Sequence, residues 1–135
     1  MNAKEILDRY HLKNTGCRKY IINELINSDC ALSEHEMKLT LPDLFDRVTF
    51  YRSLKTLEEQ KVIHKVVLHN NTIKYALNKD WEGIKEHPHF HCVKCDEVLC
   101  LDEASQQPQV PKGFSVKSTQ ILLEGTCPSC IEKGM

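Results

Sequence analysis

Two cysteine pairs carry the chemistry most easily read from this chain. Cys92-Val93-Lys94-Cys95 and Cys127-Pro128-Ser129-Cys130 are CxxC pairs separated by 31 residues. A two-residue gap suits a tight turn that aims both sulfurs at one point. Four thiolates presented this way complete the tetrahedral sphere of one zinc ion, a closed set of the structural kind. Disulfides are the competing use of such pairs. The chain starts Met1-Asn2-Ala3-Lys4-Glu5, with no apolar signal core, so a reducing cytoplasm is expected; the seven cysteines are also an odd number. Cys92, Cys95, Cys127 and Cys130 are therefore expected to hold structural zinc, each pair as a loop knuckle at a strand end.

Histidines crowd the first pair, in His87-Pro88-His89-Phe90-His91. Side chains of a strand alternate with period two, so His87 and His89 would face the same way and could share one metal. His91 would join them if the strand stayed regular, unless the knuckle at Cys92 turns it away. Cys100 lies on the short apolar run Val98-Leu99-Cys100-Leu101. It reads equally as a small buried core residue or as a third ligand, and a thiolate ligand would favour zinc over ferrous iron. His35 and His64 read as ordinary surface or half-buried residues. A hydrolytic zinc needs an open coordination position and a placed general base. The four-cysteine set is closed and no H-E-x-x-H occurs, so the chain is not expected to be an enzyme.

These residues need a scaffold, and local patterns supply one. Residues 4–12 read as a short amphipathic helix. Asn14-Thr15 offers a cap for a second helix over roughly 15–28, with Tyr20, Ile21, Leu25 and Ile26 as its stripe. Ser33 with Glu36 is a capping box for a third, short helix that should end near Leu41-Pro42. Asp46 caps a fourth over about 47–60, where Phe50, Leu54 and Leu57 form the buried stripe. Thr49, Arg52 and Lys55 then point outward, with Tyr51 on the flank. Such a face can contact phosphates and base edges, although on its own it fits an ordinary solvated surface better, since such charge runs are common on exposed helices. The next segment of chain favours nucleic-acid contact. Val62–Leu68 and Thr72–Leu77 are β-rich runs joined by His69-Asn70-Asn71, a hairpin. Helices, an outward-facing fourth helix and a two-stranded wing make a winged helix-turn-helix.

Residues 78–86 are polar and contain Gly83, so a hinge is placed at 80–86 between a winged-helix domain, 1–79, and a second domain, 87–135. Residues 106–113 hold two prolines and a glycine and exclude regular structure, whereas Phe114–Glu124 is a strand candidate. The expected class is α+β: an N-terminal winged helix-turn-helix plus a small C-terminal α/β dimerisation domain with a four-cysteine zinc site. A segment of about 50 residues is marginal alone, so zinc and dimerisation are its expected supports. The formal net charge of −1 hides an uneven split. Residues 1–80 carry 13 Lys and Arg against 11 Asp and Glu, and residues 81–135 carry 5 against 8. That permits DNA binding by the first half without requiring it. No run approaches the roughly 20 apolar residues of a membrane span.

The sequence resembles the ferric uptake regulator family of metal-dependent repressors over nearly its whole length. Arg47-Val48-Thr49-Phe50-Tyr51-Arg52-Ser53-Leu54 is close to the family's T-V-Y-R-x-L, and His87–Cys95 to its H-x-H-x-x-C-x-x-C; the closing Cys127–Cys130 completes the likeness. The resemblance implies a winged helix, a dimerisation domain, four-cysteine zinc, and a second, regulatory metal near the hinge, Zn2+ or Fe2+. It also implies that metal binding closes a homodimer onto a palindromic operator in double-stranded DNA, with Tyr51 and Arg52 as a contacting pair. His87 and His89 match family ligands, Cys100 falls where relatives often place a carboxylate, and His69 is a further donor in zinc-sensing relatives. The chain departs from the family where Cys30-Ala31 replaces a histidine and Ala76 replaces a carboxylate, with Asp80, Glu82 and Glu86 nearby. Pro88, Gln107 and Thr119 stand where some iron-sensing members have a further site.

The function expected is a metal-responsive repressor, zinc- or iron-sensing. Two alternatives stand beside it. One is a peroxide sensor of the same family, in which bound iron oxidises His87 or His89; Cys100 and Ala76 disfavour it. The other is a zinc-stabilised protein-interaction module without a DNA role.

Overall fold

The computed structural model describes residues 1–28, 31–78, 88–101, 109–117 and 119–134. Two compact units divide the chain, Met1–Asn78 and Lys79–Met135. The expected hinge at 80–86, His87 and Cys30 lie outside the described residues.

The first unit runs α1 (Ala3–Arg9), α2 (Gly16–Ser28), β1 (Leu32–Ser33), α3 (Glu34–Lys38), α4 (Arg47–Glu59), β2 (Ile63–Val67) and β3 (Ile73–Leu77). Side-chain oxygens set the helix starts. Asn2 Oδ1 accepts the Glu5 N–H, Thr15 Oγ1 that of Arg18 and Asp46 Oδ1 that of Thr49. At α3 the capping box is complete: Ser33 Oγ accepts from Glu36 N and Glu36 Oε1 from Ser33 N. Each such bond satisfies a backbone donor that the first helical turn leaves open. The first helix stops at Arg9, three residues earlier than expected, and His11 then adopts a positive φ of 57°.

Hydrophobic stripes of these elements close one core. Ile6, Leu7, Ile21, Ile22, Met37, Phe50, Leu57, Val62 and Val66 are all buried. The strands form an antiparallel sheet in the order β1-β3-β2, with Ile63 opposite Leu77 and Val67 opposite Ile73. Asn71 takes φ 66° in the turn between β2 and β3, where an asparagine tolerates the left-handed conformation. Lys74 is buried on β3, and its ammonium lies 3.1 Å from Glu36 Oε1.

The second unit holds β4 (His89–Cys92), β5 (Val98–Cys100), β6 (Leu122–Gly125) and α5 (Pro128–Glu132). The sheet order is β5-β4-β6; β5 runs antiparallel to β4 and β6 parallel to it. Among the described residues, the strand expected over Phe114–Glu124 forms only at Leu122–Gly125. The parallel register, His89 opposite Leu122 and Cys92 opposite Gly125, sets where pairing begins, and the described residues 109–117 form neither helix nor strand. Among the described residues, no helix is long and apolar enough to cross a membrane.

Candidate metal centre and helix face

The first knuckle grows from the end of β4. After Cys92 the chain turns, and Asp96, at φ 65°, returns its N–H to the Cys92 carbonyl at 2.8 Å. The second knuckle differs from the expected loop. Cys127 is the N-cap of α5 and Pro128 opens the helix. Proline suits that place because its fixed φ is already helical and the missing N–H is one the first turn cannot use. One turn of helix then brings Cys130 to the same side as Cys127. One backbone bond and one backbone-to-thiol bond join the knuckles: Val93 N–H to the Gly125 carbonyl at 2.8 Å and Cys127 N–H to Cys92 Sγ at 3.3 Å. A Cβ on Gly125 would stand 3.3 Å from the Phe90 ring, so glycine lets β6 pass close beneath that side chain.

The result is convergence. Sγ atoms of Cys92, Cys95, Cys127 and Cys130 all lie within 4.8 Å of one another. All four are free thiols, and Cys95 Sγ stands 3.8 Å from Cys127 Sγ, well beyond a covalent S–S bond. Cys92, Cys127 and Cys130 are buried and Cys95 is exposed. Phe90 and Leu99 pack against the buried three.

The electrostatics divide the set. N–H groups, that of Cys95 foremost and those of Cys127 and Lys94 after it, outweigh desolvation and lower the Cys92 thiol to about 6. Burial, followed by hydrogen bonding to the neighbouring thiols, pushes Cys130 up to about 12. Cys95 is also raised: the Glu97 N–H lowers it, but desolvation and the Cys92 and Cys127 thiols prevail. One thiol is thus ready to ionise beside two, Cys95 and Cys130, that resist it, chiefly because desolvation disfavours their charged forms. A divalent cation removes that conflict. The donor set fits zinc or another thiophilic ion, with no position left for a substrate.

The opposite face of the sheet carries the histidines. His89 and Cys100 are directly opposed across β4 and β5, so their side chains leave the sheet on the same side. His91 lies two residues along on that side and is buried. The knuckle does not turn it away: His91 Nε2 is 2.7 Å from Asp96 Oδ1, and Nδ1 is 3.7 Å from Glu124 Oε2. His91 therefore links the residue after the first knuckle to the strand before the second. Sequence reasoning missed these two carboxylate partners; only the β4–β6 register exposes Glu124. His69 lies in the first unit, exposed on the turn between β2 and β3.

In the first unit, α4 buries Phe50, Leu54 and Leu57, as the periodicity requires, and also Ser53. Thr49, Tyr51, Arg52 and Lys55 are exposed. Tyr51 is not alone on that face: its hydroxyl joins Lys38 and Glu34 of α3.

A winged helix-turn-helix ahead of a unit with a closed cluster of metal-ligating thiols defines a class, the metal-binding regulators of transcription. The sequence pattern of the Ferric uptake regulator family matches residues 9–124, and the chain belongs to that family. Its members regulate transcription in response to metal and are not enzymes. The Ferric uptake regulation protein of Bacillus subtilis (strain 168) is 26% identical over 137 residues, covering 94% of this chain and 91% of that protein. Among solved structures, a zinc uptake regulator complexed with zinc and DNA superposes with a TM-score of 0.69 at 23% identity, covering 98% of this chain and 92% of that one. The Helicobacter pylori ferric uptake regulator, described as having three functional metal binding sites, gives 0.65 at 18% identity, with 97% and 95% covered. At these identities the structural likeness speaks for the fold.

Proposed function

We propose that the chain is a metal-responsive repressor that binds a palindromic operator as a homodimer. In this reading residues 1–79 bind DNA, 80–86 form a hinge, and 87–135 dimerise and sense metal. Zinc at Cys92, Cys95, Cys127 and Cys130 is structural. The observation that carries the reading is the convergence of those four thiols within 4.8 Å in a unit separate from an outward-facing α4. Thr49, Tyr51, Arg52 and Lys55 are the DNA-contacting residues: Arg52 reaches base edges or phosphate, and Tyr51 and Lys55 reach phosphates. Dimerisation draws support from the apolar side chains that the second unit exposes, Phe114 at 73% and Val116 at 52% among them.

A second, regulatory ion is assigned to His87, His89 and Cys100, with His69 as a further candidate donor. The direct opposition of His89 and Cys100 supports this pairing. A thiolate there selects zinc ahead of ferrous iron. The DNA complex of the structurally similar zinc uptake regulator agrees with this reading. Coupling between the regulatory ion and DNA of the usual size would change operator affinity by roughly 5–150-fold.

Two measurements test it together. Elemental analysis of protein purified without chelator should find two zinc ions per chain, and one in a His87→Ala/His89→Ala variant. Anisotropy titration of a duplex from the upstream region of its own gene should show tight binding only with the second site filled. Equal affinity after that site is stripped, with the structural zinc retained, would refute the metal switch.

A further inference from the structure

Glu34, Lys38 and Tyr51 form a small network on the outward side of α3 and α4. Lys38 Nζ donates to the Tyr51 hydroxyl at 2.7 Å, and that hydroxyl donates to Glu34 Oε2 at 3.1 Å. Lys38 Nζ stands 3.6 Å from the same Glu34 oxygen and 4.4 Å from the centre of the Tyr51 ring. One anionic oxygen is therefore faced by an ammonium and a phenol at once.

An ammonium only donates, and a phenol has a single proton to give. With Lys38 donating to it, the Tyr51 hydroxyl spends its proton on Glu34. A phosphate oxygen that is to accept from Tyr51 must take the place of that carboxylate oxygen. The donors it would meet there, an ammonium and a hydroxyl, are those proteins use on nucleic-acid backbones. Hydrogen bonding to Tyr51, and after it the Glu34 charge, hold the Lys38 amine above its ordinary range, so the cation persists at neutral pH. The pair is partly exposed, at 28% and 34%, and exposed pairs four residues apart on a helix contribute little to folding. The carboxylate is thus free to yield.

We propose that Lys38 Nζ and Tyr51 Oη form a subsite for a DNA backbone phosphate, which the Glu34 carboxylate occupies as an internal stand-in until DNA displaces it. This rests on the DNA-binding reading of α4 and adds two α3 residues to it, one favouring and one opposing association. Lys38 contributes a phosphate contact without base selectivity. Glu34 lowers affinity and, by repelling phosphates, weakens binding to any duplex.

The test is anisotropy titration of zinc-loaded full-length protein against the upstream duplex and an unrelated duplex, across roughly 50–200 mM salt. Lys38→Met should lower affinity about tenfold on both duplexes and reduce the salt slope by about one per protomer. Lys38→Arg should restore both. Glu34→Gln, which keeps the shape and removes the charge, should raise affinity about threefold or more on both. Opposite signs for the two positions are the signature; a purely structural tether would make both variants bind more weakly. Thermal melts of Lys38→Arg and Glu34→Gln, the conservative pair, establish that these variants fold. If wild type binds with ordinary salt dependence and Glu34→Gln leaves affinity unchanged or lowers it, the subsite is refuted. If wild type binds neither duplex with metal loaded, the DNA-binding reading falls, and the subsite with it.

Discussion

Cys92 and Cys130 illustrate how one cluster can hold thiols of opposite temper. Cys92 receives backbone N–H groups and sits at about 6, whereas Cys130 is buried among other thiols and sits at about 12. Ionising Cys95 and Cys130 at neutral pH needs the field of a cation, so metal uptake displaces protons and weakens as pH falls. Cys130→Ser should cost more than the roughly 10–100-fold in affinity typical of changes around metal ligands, read by competition with a chromogenic chelator. Cys17→Ser provides the contrast. That thiol is buried in the first unit, where desolvation raises it despite a hydrogen bond to Ser53. Its substitution should leave zinc affinity unchanged. Equal losses from both variants would mean that the four-cysteine cluster is not the binding site.

At the scale of elements, α3 is held at its start and along its side. Ser33 and Glu36 satisfy each other's backbone groups, and Glu36 also meets the buried Lys74 ammonium. Ser33→Ala should destabilise the first unit by about 1 kcal/mol, measured by urea unfolding. For Glu36, desolvation would raise the carboxyl, but the Ser33 N–H and the Lys74 charge together bring it below the usual range. A carboxyl lowered by folding stabilises the native state above its unfolded pKa, and that contribution is lost as pH falls through the folded value. Wild type should therefore lose stability on acidification below the ordinary carboxylate range, and Glu36→Gln should flatten that part of the profile while costing about 1–3 kcal/mol at neutral pH. The caps, though not the Glu36–Lys74 pair, were legible in the sequence because caps are local: Ser33 to Glu36 and Asp46 to Thr49 span three residues. The buried stripe Phe50, Leu54 and Leu57 and the hairpin turn at Asn71 were legible for the same reason. The illegible features depend on long-range pairing. The parallel register of β4 and β6 joins His91 to Glu124, and the packing of α3 on α4 joins Lys38 to Tyr51; neither leaves a trace in local periodicity. The helical second knuckle did leave one, in Pro128 just after Cys127, which a search for loops passes over.

At the scale of the whole molecule, the two units have cores of different kinds. Met1–Asn78 closes on aliphatic and aromatic side chains, among them Ile21, Ile22, Phe50 and Leu57. In the second unit, the hydrophobic cluster at the knuckles is Cys92, Cys127 and Cys130 with Phe90 and Leu99. Three of those five side chains are thiols, so the cluster that ties β4 to β6 and α5 consists mainly of prospective metal ligands. With so small an apolar centre among its described residues, the unit is expected to depend on what the sulfurs bind, since the free energy of structural zinc binding is in effect folding free energy. Stripping the metal under reducing conditions should therefore melt one unit and spare the other. Hydrogen exchange read by mass spectrometry should show amides of His89–Cys92 and Leu122–Gly125 losing protection, while those of Gly16–Ser28 and Arg47–Glu59 keep theirs. If the chain dimerises as proposed, sedimentation should show the dimer dissociating together with that loss, because the exposed Phe114, Val116 and Leu123 belong to the part that unfolds. Protection of β4 and β6 that survives complete removal of metal, verified by elemental analysis, would mean that the thiol cluster is not what holds this unit folded.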